Sequence, residues 1–228
     1  MKIFKTNLFS PYPLIQAYLQ VIEPVEGALA SESEEIEVSP PEDLMREHGI
    51  LERLLMVYED AVNKADTSEH FDSTHINRAA TLISEFIENH HEKNEEQYIF
   101  PLFHEANRLT GLVDTLVTQH ERGREATKNI LFYSHRSRAN DEVARKELIS
   151  LCKSVLLMLR PHMSRENSVL FPALYMVASK EQIEEIGEKM EEEEHRLLGR
   201  KGYGGLLERV FDIERSAGTY DLSRYTPR

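Results

Sequence analysis

The chain has 228 residues, with 40 acidic against 27 basic residues, ten histidines, one cysteine and no tryptophan. That length suits one domain with extensions or at most two small ones, and a hydrophobic share of 40% is enough for a core. A net charge of −13 argues against general nucleic-acid binding, which needs a basic footprint, and the single Cys152 excludes a disulfide framework or a cysteine cage for metals.

The first 30 residues carry Lys2, Lys5, Leu14, Ile15, Tyr18, Leu19 and Val21, and Ala28-Leu29-Ala30 resembles a small-residue cleavage site. Pro11, Pro13, Gln16, Gln20, Glu23, Pro24 and Glu26 interrupt what would be the apolar stretch of a signal peptide. The expected location is cytoplasmic, with export as the alternative if residues 1–30 act as a signal. No stretch approaches the roughly 18–20 apolar residues that span a bilayer, so no membrane contact is expected. Residues 1–39 read as an irregular N-terminal arm ending in an acidic linker.

From Pro40 the pattern is helical. Ser39 is a candidate N-cap, followed by prolines and then Glu42 and Asp43 in the first turn. A first stripe runs Leu44, His48, Leu51, Leu55, Tyr58, Val62. A second helix is expected from Asp72 or Ser73, with Ala80, Ile83, Ile87, His91, Glu95 and Tyr98 on one face. A third starts near Thr110 and carries Val113, Leu116, His120, Thr127 and Leu131. Asn140 or Asp141 caps a fourth, with Leu148, Leu151, Val155, Leu159, His162, Glu166 and Val169. Each helix must bury its stripe, so the expected fold is all-α: an antiparallel up-down four-helix bundle over residues 40–178. Residues 179–228 are expected to pack on it as a helical extension. Ser179 caps an acidic helix, Lys201 to Gly205 form a break, Leu206 to Ala217 a short last helix, and the tail is irregular.

One feature rises above composition. His91, Glu95, Phe100 and Pro101 share their spacing with His162, Glu166, Phe171 and Pro172. His48 precedes His91 by 43 residues and His120 precedes His162 by 42, so the chain reads as two repeated helical hairpins. Residues four apart share a helix face, so each His-Glu pair points one way. All six polar groups fall in the apolar stripes, where burial without partners is costly. A metal pair supplies the compensating charge, and four histidines with two glutamates form a ligand set for a dinuclear iron or manganese centre. Phe-Pro is expected to stop each helix about a turn and a half beyond its glutamate, because the residue before proline avoids the α region. Phe100 and Phe171 are then expected to cap the bundle end.

These residues resemble the hemerythrin-like (HHE cation-binding) family. The resemblance rests on Asp43 to His48, His91-x3-Glu95 with Phe100-Pro101, Gln119 to Arg124, and Arg160-Pro-His162-x3-Glu166 with Phe171-Pro172, across about residues 40–178. It implies a four-helix bundle around a non-haem di-iron site, with His48, His91, Glu95, His120, His162 and Glu166 as ligands. Oxygen-carrying members place two histidines four apart on the third helix, and an aspartate five residues after the last histidine. Here Arg124 follows His120 by four residues, and Glu166 follows His162 by four. A lost histidine opens a position on the second iron, which favours peroxide activation or redox chemistry over simple O2 storage.

Other residues carry two readings. His195 is expected on a solvated acidic face; the sharper reading makes it, or a glutamate near it, an extra ligand folded over the bundle. Glu92 is expected at the surface, or bonded to a ligand imidazole. His90, about 100° around the helix from His91, is expected partly exposed or supporting a ligand. Tyr98 and Tyr58 line the cavity or pack in the core. Arg124 pairs a carboxylate, guards the entrance or snorkels. A third His-x3-Glu, His48 with Glu52, reads as a solvent-facing pair beside the site. Cys152 reads as a small core residue.

The expected protein binds two iron ions, each taking two histidines, sharing both carboxylates and bridged by an oxo or hydroxo group. Imidazole and carboxylate accommodate manganese and zinc as well. Its expected small-molecule partners are O2, peroxide or nitric oxide. Three classes are open: an O2 or nitric oxide carrier or sensor, a redox enzyme such as a peroxide-decomposing one, and an iron-handling protein without turnover.

Overall fold

A computed structural model describes residues 38–135 and 141–227. The signal, most of the linker and the Asn140 cap lie outside these residues. Helix α1 is Pro40–Asp66. Its start combines prolines in the first turn with a 3.0 Å hydrogen bond from the Ser39 N–H to Glu42, a reciprocal device that satisfies free helix-end donors. Helix α2 covers 73–105, helix α3 is Thr110–Ser134, and helix α4 covers 142–177. Asp72 and Asp141 cap α2 and α4, accepting from the N–H groups of Thr74 and Val143 at 2.8 Å. Helices α5, Lys180–Leu198, and α6, Gly202–Ala217, follow.

Each bundle helix packs on its two neighbours, α1 on α2, α2 on α3, α3 on α4 and α4 on α1, which closes the four-helix ring. Helix α6 lies on α1 and α2, and α5 on α6 and α1. Leu206, Leu207, Val210, Ile213 and Ala217 of α6 join the apolar cluster of the bundle. Arg53 pairs with Glu214 at the same seam. No helix among the described residues is long and apolar enough to cross a membrane. The core is split. One apolar cluster holds Leu51, Leu55, Tyr58, Ile87 and Leu159, and a second holds Leu44, Ile99, Phe100, Phe103, Leu170 and Phe171. His48, His91, Glu95, His120, His162 and Glu166 are also buried, and both apolar clusters draw on all four helices that carry them, with α6 adding to the first and α5 to the second.

Two expectations are corrected. Phe-Pro does not end α2 or α4. Glu95–Ile99 and Glu166–Leu170 are π-helical, and α-helix resumes as Phe100–Glu105 and Phe171–Val177. A π turn bonds i to i+5, which leaves room for a proline that lacks an N–H and would clash within a tight α turn. Phe100 and Phe171 therefore sit in the α region directly before proline. The extra residue also turns the stripe by about 100°. That rotation replaces the expected Tyr98 and Val169 by Ile99 and Leu170, both fully buried, while Val169 is exposed. The second correction concerns the glycine break. It falls at Gly199–Lys201, flanked by Gly199 at φ 59° and Gly202 at φ 51°, and α6 begins at Gly202. The tail adds a short 3-10 turn, Leu222–Tyr225, with Arg224 paired to Asp60 at 2.8 Å.

Candidate metal centre

The six residues converge. His48 and His91 bring their Nε2 atoms to 3.0 Å, and His120 and His162 to 3.3 Å. Glu95 lies 3.6 Å from His91 Nε2 and 3.4 Å from His120 Nε2. Glu166 lies 3.2 Å from His48 Nε2 and 3.1 Å from His162 Nε2. Each carboxylate thus touches one histidine of each pair. Ligand atoms of His48, His91 and Glu95 lie within 4.8 Å of one another, as do those of His120, His162 and Glu166. None of the six is more than 5% exposed.

Every outer ring nitrogen has an acceptor. The Nδ1–H of His48 donates to Asn167 at 2.7 Å, that of His91 to Glu47 at 2.7 Å, that of His120 to Glu96 at 2.9 Å and that of His162 to Gln119 at 3.0 Å. Protonating Nδ1 leaves the four Nε2 lone pairs free and pointing inward, the arrangement a metal-bound imidazole uses. Glu47 and Gln119 lie in segments that carry the resemblance, but none of the four was given this role from the sequence. A signal existed, since each adjoins a ligand in register with the repeat: Glu47 and Gln119 precede a histidine, while Glu96 and Asn167 follow a glutamate. The aromatic contacts obey the same repeat. Phe171 stacks on His48 and Phe100 on His120, each at 5.6 Å between centroids.

The electrostatics call for a cation. All four oxygens of Glu95 and Glu166 are buried without a hydrogen bond among the described residues. Burial first, then the charge of Glu166, pushes Glu95 well above the usual carboxylate range. Burial also acts on Glu166, but the His162 and His48 contacts outweigh it and hold that carboxyl low. Burial lowers His91 to about 4, so it stays neutral and able to donate a lone pair. Converging lone pairs and orphaned carboxylate oxygens in a buried interior fit metal ions.

The flanking residues need several corrections. Glu92 is buried, not at the surface, and pairs with Arg124 at 2.8 Å. Burial, only partly offset by Arg124, raises its carboxyl to about 8. His90 is buried too, 3.2 Å from Glu47. The cause in both cases is tertiary: α3 covers one flank of α2, while α5 and α6 cover another. Arg124 takes the carboxylate-pairing role, engaging Glu92 and Glu96. His195 is exposed, 3.7 Å from Glu191, so its ligand reading fails; the neighbouring Glu194 is the residue that turns inward, grouped with Glu47 and His90. His48 and Glu52 are not a pair, since His48 is buried while Glu52 faces solvent and binds Arg160 at 2.9 Å. Tyr98 packs on the second apolar cluster under Lys189 rather than beside the ligands, following the π-turn rotation. Tyr58 is a core residue whose hydroxyl has no hydrogen-bond partner among the described residues. Cys152 is fully buried, and burial raises its thiol to about 12.

Comparison with known proteins points the same way. An uncharacterized protein of Mycobacterium bovis is 40% identical over 194 residues, covering 85% of this chain and 76% of that protein. Uncharacterized proteins of two strains of Mycobacterium tuberculosis match to the same extent. No solved structure matches the chain. The family model described as the hemerythrin HHE cation-binding domain matches residues 39–174, the span that holds all six converging residues, and the chain belongs to that family.

Proposed function

We propose that the protein holds two iron ions, one at His48 and His91 and the other at His120 and His162, with Glu95 and Glu166 spanning the pair. The observation that carries this reading is the position of the two glutamates, each between one histidine of either pair, with no hydrogen bond to any of their oxygens among the described residues. Iron so held supplies redox chemistry toward O2, peroxide or nitric oxide. The protein's own residues set the conditions. Asn167, Glu47, Glu96 and Gln119 hold the imidazoles in one tautomer and orientation. Phe100 and Phe171 press against His120 and His48 and exclude water from that side.

Redox turnover, with peroxide as the leading substrate, is favoured over reversible storage. Its support is Arg124, which stands where the resemblance places a further histidine in oxygen carriers and is engaged by Glu92 and Glu96. Anaerobic reconstitution with ferrous iron tests both levels. Two irons per chain, and O2 evolution from peroxide proportional to bound iron, are the expected results. A fully reversible spectral change with O2 and no peroxide turnover would make it a carrier. Iron uptake with neither response would leave an iron-handling role. Failure to take up iron, manganese or zinc would overturn the metal reading.

A further inference from the structure

Beside the six-residue site lies a second cluster, built across the junction between the bundle and the C-terminal helices. Glu47 of α1, His90 of α2 and Glu194 of α5 bring ligand atoms within 4.8 Å of one another. Glu194 lies outside the 39–174 span of the family match, so the extension completes the cluster. Glu47 is fully buried. Its Oε2 accepts from His91 at 2.7 Å, whereas its Oε1 has no hydrogen bond among the described residues and faces the cluster, 3.2 Å from His90 Nε2. Phe86 flanks the His90 ring at 5.3 Å between centroids, and Asn94 Nδ2 lies 3.3 Å from the same Nε2 as the competing donor.

Charge does not balance there. Asp43, Glu47 and Glu194 face one fixed cation, Arg46, which bonds Asp43 and reaches Glu194 at 3.7 Å. Leaving His90 out of the count, two negative charges remain. Burial opposes a proton on His90, but the Glu47 contact outweighs it and raises that ring, so a proton and a metal ion compete for the same place. The acids show the strain of that crowding. Burial, then the charge of Glu47, raises Asp43 to about 6. Burial, then the charges of Asp43 and Glu47, raises Glu194 to about 7. The side chains of Asp43 and Glu194 are each 19% exposed, so the cluster opens to solvent at its outer edge while Glu47 closes its inner end.

We propose that Glu47, His90 and Glu194 form a third cation site, distinct from the paired one and selective for a first-row divalent ion. One imidazole among carboxylates suits ferrous iron, manganese or zinc, and discriminates against magnesium, which prefers oxygen and water. Glu47 joins the two sites, with one oxygen on His91 and the other on the third ion. The site does not depend on the dinuclear reading, because Glu194 and His90 take no part in that centre.

The test uses the full chain, stripped of metal and dialysed anaerobically against Mn2+ in excess Mg2+, with bound manganese counted by elemental analysis. Three manganese ions per chain are expected for the wild type and two for Glu194→Ala. Circular dichroism checks that the variant is folded, and Glu194→Gln, which keeps the side-chain volume, gives the count if the alanine variant is not. Equal counts of two in wild type and variant would overturn the third site and leave the dinuclear centre standing. A single ion that the variant loses would support the third site and overturn the dinuclear one. No bound manganese in either protein would overturn the third site and leave the dinuclear centre to be decided by the iron reconstitution.

Discussion

Glu95→Met replaces a fully buried carboxylate, neither of whose oxygens is hydrogen-bonded, by an apolar side chain of similar length. Each orphaned buried polar atom costs about 1–3 kcal/mol. Much of the charge penalty is already relieved when Glu95 is protonated, so the metal-free variant should be more stable than the metal-free wild type by about 2 kcal/mol. That corresponds to a rise of about 4–8 °C in Tm for a chain of this size. The difference should depend on pH with a defined sign. Glu95 is raised in the folded protein, so below the unfolded carboxylate range both states are protonated and the ionisation part of the penalty is absent. Above that range the unfolded chain releases its proton while the native state retains it, and wild-type stability falls by up to about 1.4 kcal/mol per pH unit until Glu95 itself ionises. The variant lacks this slope. Metal should reverse the order, because an ion at 100 times its Kd stabilises the wild type by about 2.7 kcal/mol and the variant has lost a spanning ligand. The assay is urea unfolding of both proteins across pH, in chelator and then with iron or manganese. A metal-free variant less stable than metal-free wild type at neutral pH would refute the reasoning that these carboxylates are held at a cost for a cation.

Gln119→Ala removes the acceptor of His162 Nδ1–H, and should weaken metal retention about 10–100-fold in chelator competition while leaving the helix content intact. Phe100→Ala and Phe171→Ala should each cost about 3–5 kcal/mol in denaturant unfolding, and by similar amounts, since the two rings occupy corresponding positions on His120 and His48. Arg160→Ala breaks the contacts to Glu52 and Glu59 on the outer face of α1; an effect of about 1 kcal/mol or less, fading with salt and with unchanged metal content, is expected from thermal melts.

The amino-acid order alone determines a good deal here. Stripes at steps of three and four define the helices, Ser39, Asp72, Asp141 and Ser179 mark their starts, and the repeated His-x3-Glu places two ligands on one face of α2 and of α4. Those features are local, so spacing suffices to read them. What crosses between helices was decided only in the folded molecule. The partners of the four Nδ1 atoms come from other helices, and so does the cover that buries His90 and Glu92. The π turns at Glu95–Ile99 and Glu166–Leu170 are local in position yet invisible to a fixed 3.6-residue period, which is why Ile99 and Leu170 rather than Tyr98 and Val169 reach the core. Glu194 is the furthest case: the acidic run reads first as a solvated face, with an inward-folding glutamate near His195 as the alternative, and only the packing of α5 against α1 and α2 decides that Glu194 is the one brought to Glu47 and His90. A helix period reports which residues share a face, but what lies opposite that face depends on contacts distant in sequence, and at this protein's site those contacts set the tautomers, the charge balance and the burial.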